Sequence, residues 1–105
     1  MDLSSIMQQA REMQAKMAKI QEELASKIVT GSAGGGMVNV EATGKGEIIS
    51  ISIEPELIDS AERVMLQDLV TAAVNDALRA ARDLAKQEMT SLTGGMQIPG
   101  VTNMF

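Results

Sequence analysis

The sequence predicts an α+β chain of the order α-β-β-β-α, in which two long helices flank a three-stranded antiparallel meander. Three observations carry this. Apolar residues recur at helical spacing at the start of the chain. Three β-branched runs between Ile28 and Ile53 are separated by two glycine clusters. A second, wider helical stripe follows Pro55.

The first helix is expected over residues 3–25. Leu3, Ile6, Ala10, Met13, Met17, Ile20 and Leu24 alternate spacings of three and four, an a/d heptad seam without Gly or Pro. A stripe this narrow usually meets another helix rather than a broad core. The partner would be the chain's own second helix or the first helix of a second copy, and so long a seam on a small protein favours self-association.

The sheet is expected next. Ile28–Ser32 forms the first strand, and Gly34-Gly35-Gly36 the first reversal, where positive φ costs little. Met37–Thr43 and Ile48–Glu54 alternate apolar and polar residues across Gly44-Lys45-Gly46, a second hairpin signal. Alternation places Val38, Val40, Ile49, Ile51 and Ile53 on one apolar face, with the other face wet. Pro55 stops the third strand, and Pro55–Asp59 reads as a turn or a short helical piece. Asp59 or Ser60 is the expected N-cap of the second long helix, with Glu62 completing a capping box. That helix runs to about Met89 on a stripe from Leu66 to Ala85. From Thr90 the period is lost. Residues 1–90 therefore read as a single domain, and 91–105 as a flexible Gly/Met/Pro tail.

Composition removes several function classes. The chain of 105 residues has no His, Cys, Trp or Tyr. A histidine base, a thiolate nucleophile and most zinc sites are excluded, and no catalytic residue, metal site or cofactor is expected. Glu22 with Glu23, and Glu54 with Glu56, lie in polar surroundings that would not raise a carboxyl pKa. The glycine clusters join strands instead of opening helices, so they read as hairpin turns and not as phosphate cradles. No apolar run approaches the roughly 18 residues of a membrane span. A start with Met1-Asp2 lacks the basic region of a secretion signal, so a cytoplasmic setting is expected.

The net charge of −5 is unevenly spread. Residues 1–27 balance four bases against four acids, while the rest of the chain is acidic. Lys16 and Lys19 share one flank of the first helix. Arg79, Arg82 and Lys86 share a face of the second. Such stripes can lie along phosphates or serve only as solvated (i, i+4) partners, as in Glu12–Lys16, Lys19–Glu23 and Arg79–Asp83. The one aromatic is Phe105, which argues against stacking recognition of single strands. No recognition-helix or zinc module is present, which argues against base-specific readout.

The chain resembles the YbaB/EbfC family of bacterial nucleoid-associated proteins. The resemblance rests on Gly31-Ser32-Ala33-Gly34-Gly35-Gly36-Met37-Val38, on Thr43-Gly44, and on Ile51-Ser52-Ile53-Glu54-Pro55-Glu56. It extends to Asp68-Leu69-Val70-Thr71-Ala72-Ala73-Val74-Asn75-Asp76-Ala77-Leu78 and to the Met- and Gln-rich first helix from Met7 to Met17. It implies an intertwined, tweezer-like homodimer that binds double-stranded DNA in the nucleoid, with low or variable sequence specificity, bending or compacting it and affecting gene expression. No enzymatic activity and no small-molecule substrate are implied. The projecting helices are the implied contact, which points to Arg11, Lys16, Lys19 and Lys27 on the first helix and its exit, then to Arg79, Arg82 and Lys86. The alternative is a protein-interaction module that binds a partner through the Met-rich seam or the apolar tail.

Overall fold

The computed structural model describes residues 2–92. Helix α1 spans Leu3–Ser26 and is started by Asp2, whose carboxylate accepts the Ser4 amide at 3.1 Å. Strands β1 (Ile28–Ala33), β2 (Val38–Thr43) and β3 (Ile48–Ile53) form one antiparallel sheet in the order β1-β2-β3. Helix α2 (Pro55–Ser60) and helix α3 (Arg63–Leu92) complete the chain. The α-β-β-β-α order is as the sequence predicts.

The first hairpin turns on Gly34, Gly35 and Gly36, all at positive φ. The second turns on Gly46 at φ +91°. L-residues adopt this region only at a cost, which is why glycine sits at these turns.

Helix α3 lies on β1 and β2 and leaves β3 uncovered. Its packed edge is Ala73, Ala77, Ala81, Ala85 and Met89, and the alanines bring helix and sheet backbones together. Val38, Val40, Ala42 and Leu57 pack with Ala73 and Ala77 in the main core. Ile20 and Leu24 of α1 join Ala85 and Met89 in a second cluster.

Three expectations are corrected. Val38 and Val40 are fully buried, whereas Ile49 and Ile51 are 51% and 45% exposed. The predicted apolar face is covered only where α3 reaches it. A bulge at Glu41/Ala42 also sets Ile48, not Ile49, opposite Ala42, which breaks the simple alternation. Finally, Asp59 and Ser60 do not cap the long helix; they lie inside α2. That short helix begins with Pro55 at its first turn and buries Leu57. The chain then extends through Ala61, and α3 starts at Arg63.

Helix α3 continues to Leu92, so the first two residues of the segment read as a tail are helical. Residues 93–105 lie outside the described part of the chain. No helix among the described residues is long and apolar enough to cross a membrane.

Candidate nucleic-acid interface

Helix α1 is held only at its C-terminal end. From Asp2 to Lys19 every residue is exposed. At 1.5 Å per residue a 24-residue helix is about 36 Å long, so most of it projects beyond the sheet. The molecule measures 68 × 24 × 18 Å accordingly.

Three contacts set the angle of that projection. Ile20 and Leu24 pack on Ala85 and Met89. The Gly44 amide donates to the carbonyls of Leu24 at 2.9 Å and Lys27 at 3.0 Å, satisfying acceptors that a helix end would leave unpaired. Gly44 must be glycine, because a Cβ there would lie 2.8 Å from the Leu24 carbonyl oxygen. The third contact is an ion pair between the Lys27 ammonium and the Glu88 carboxylate of α3. That hydrogen bond holds the Lys27 pKa above the usual lysine value, with desolvation opposing it and the charges of Glu88 and Glu23 adding to it.

The seven candidate bases fall into distinct groups. Lys16 lies about one turn before the packed Ile20, and Lys19 shares its flank. Arg11, nine residues before Ile20, falls on roughly the opposite side of the helix at 3.6 residues per turn. Lys27 is engaged by Glu88. Arg79 is drawn to Asp76 at 3.5 Å, and the same Asp76 accepts the Ser32 amide at 3.0 Å, so it fastens the end of β1 to α3. Arg82 and Lys86 are exposed one turn apart on α3.

None of the pairs Glu12–Lys16, Lys19–Glu23 and Arg79–Asp83 forms among the described residues, where the ion pairs are Lys27–Glu88 and Arg79–Asp76. Lys16, Lys19, Arg82 and Lys86 thus present their charge to solvent.

Arg82 also borders a cleft of about 330 Å³ between α1, the β2–β3 turn and α3. Leu24, Leu78, Ala81 and Ala85 form its apolar floor, and Lys45 stands at its rim with Arg82. Helix-face reasoning misses Lys45 because it sits in a turn. Among the described residues no cluster of acidic side chains could hold a metal ion.

The profile of the YbaB/EbfC DNA-binding family matches residues 1–96. A nucleoid-associated protein of Desulfotalea psychrophila is 65% identical over 105 residues, covering 100% of this chain and 99% of that protein. One from Pelotomaculum thermopropionicum is 48% identical over 100 residues, 95% of each chain. The crystal structure of an uncharacterized protein from Helicobacter pylori superposes with a TM-score of 0.78 at 26% identity, covering 89% of this chain and 98% of that one.

Proposed function

We propose that this chain, which belongs to the YbaB/EbfC DNA-binding family and is similar to bacterial nucleoid-associated proteins, binds double-stranded DNA as a homodimer and catalyses no reaction. Specificity for sequence is low or variable, and binding bends or compacts nucleoid DNA and so affects gene expression. The protein works in the cytoplasm, at the nucleoid, without cofactor or small-molecule substrate.

The observation that carries this reading is the projecting α1, with Lys16 and Lys19 free of acid partners among the described residues. A dimer doubles those charges. Phosphate contact is assigned first to Lys16 and Lys19, with Arg11 on the far side of α1 and Arg82 and Lys86 on α3. Lys27 and Arg79 take a smaller share, because Glu88 and Asp76 already hold them. The net charge of −5 is compatible with this. The acids concentrate after residue 27, and their field would turn the neutral first helix toward a polyanion.

The homodimer is supported by apolar surface that a single chain leaves in water. Ile49 and Ile51 of β3, Ile58 of α2 and Met65 of α3 are exposed. So are Leu3, Ile6, Met13 and Met17 along the α1 seam. Patches of this kind mark interaction sites. A two-fold dimer would cover the same patch on both copies.

The test is a duplex-DNA binding titration across salt concentrations, paired with sedimentation to measure the oligomer. A dimer whose log affinity falls steeply and linearly with log salt supports the reading. A monomer, or a flat salt dependence, rejects it. The exposed seam also favours the alternative of a protein-interaction module. A stoichiometric protein partner, together with no shift of duplex DNA at physiological salt, would select that one.

A further inference from the structure

We infer that the cleft between the β2–β3 turn and α3 seats a phosphate of the DNA backbone, and that Lys45 is a DNA-contacting residue alongside Arg82. The inference rests on the DNA-binding reading above and adds a contact outside the two long helices.

Charge is the first argument. The chain carries 14 acids and only 9 bases, yet no described residue lining this cleft is acidic. Lys45 and Arg82 come from separate elements, and both line this one cleft. Neither has an acid partner among the described residues. A concave site lined by two bases and no acid draws an anion even in a chain of net negative charge.

Shape is the second argument. Gly44 and Gly46 flank Lys45, so the turn offers backbone and no neighbouring side chains at the mouth. A polyanion can come close there without a steric contest. Gly44 is already required by its contact with Leu24, and Gly46 by its positive φ. The floor of Leu24, Leu78, Ala81 and Ala85 is apolar, which suits the carbon face of a deoxyribose and offers nothing to a metal ion.

Continuity is the third. Lys86 is one turn beyond Arg82 on α3, whereas Gln21 on the α1 wall lies two residues from Lys19 and so faces away from the Lys16–Lys19 flank. The cleft therefore adjoins the basic stripe of α3, and the amide of Gln21 can add a neutral hydrogen bond to a phosphate oxygen.

The experiment uses the full chain and a labelled duplex. Lys45→Gln and Lys45→Arg are compared with the native protein by anisotropy across salt. One fewer neutralised phosphate lowers the log–log salt slope by about 0.9, and two fewer, one from each protomer of a dimer, by about 1.8. Lys45→Gln is expected to show that fall with an unchanged melting temperature, and Lys45→Arg to restore the slope. Independently, acetylation of the native protein followed by mass spectrometry is expected to show Lys45 protected by duplex DNA.

The inference is overturned if native protein binds with a steep slope while Lys45→Gln keeps that slope. It is equally overturned if Lys45 acetylates at the same rate with and without saturating DNA, as it would with a second copy of the chain filling the cleft. Native protein that does not bind duplex DNA removes the DNA-binding reading itself, and this contact with it.

Discussion

Gly31 of β1 and Ala77 of α3 meet backbone to backbone. A Cβ built on Gly31 would stand 2.7 Å from the Ala77 Cα and 2.7 Å from the Ala73 carbonyl oxygen. Both atoms belong to the helix backbone, which cannot swing aside as a side chain can. This contact sets how closely α3 lies on the sheet. It explains the run of alanines on that face of the helix.

Gly31→Ala is therefore expected to force α3 off the sheet and to destabilise the fold. Overpacking of this kind costs about 1–3 kcal/mol. Urea denaturation at fixed protein concentration should show a lower midpoint with a similar slope. An unchanged midpoint would mean that the helix and sheet are not in this register.

The Lys27–Glu88 pair yields a pH-dependent outcome. Lys27 titrates above the usual 10.5, chiefly because of its hydrogen bond to Glu88. A raised pKa stabilises the folded state fully below the unfolded value and ceases to do so as pH rises through the folded one. Native protein should therefore melt above Glu88→Gln at neutral pH, and the gap should close once the pH passes well above 10.5. A gap that persists there would assign the effect of Glu88 to something other than this ion pair.

Lys16→Gln with Lys19→Gln should weaken duplex binding without dissolving the dimer. The salt slope is expected to fall by roughly 0.9 for each phosphate that is no longer neutralised. Thermal stability should hold, because both side chains are exposed and lack acid partners among the described residues. Unaltered affinity in a dimeric double variant would remove these two residues from the interface.

Ile51→Lys probes the uncovered strand. Ile51 is 45% exposed and sits opposite the fully buried Val40, so it continues the same apolar face beyond the reach of α3. If a second copy covers it, a buried lysine there should shift sedimentation toward monomer, because an unpaired charge is costly to desolvate. An undisturbed dimer would place the interface elsewhere, with the α1 seam the next surface to test.

Much of the architecture was legible because it is local. The heptad spacing from Leu3 to Leu24 predicts a helix through turn-by-turn periodicity, and α1 forms over Leu3–Ser26. Glycine clusters between alternating runs predict hairpins, since positive φ is a property of single residues. The identity of the bases on each helix face follows from the same periodicity. Asp59 and Ser60 misled because their capping chemistry is equally local and burial overrode it. Leu57 draws α2 onto the core, and the chain leaves it through Ala61.

What determines partners across the molecule was not legible. No pattern in the sequence joins Lys27 to Glu88, 61 residues away, or puts Lys45 and Arg82 on the same cleft. Nor does alternation reveal that α3 covers β1 and β2 while β3 stays open. The elements, their order and their apolar faces were determined by the sequence itself, through interactions within a few residues. Only the tertiary structure decided which face is covered, which bases are tied to acids and which converge on a cleft. Those outcomes depend on the angle at which α3 crosses the sheet, and that angle is set by small-residue contacts such as Gly31 on Ala77.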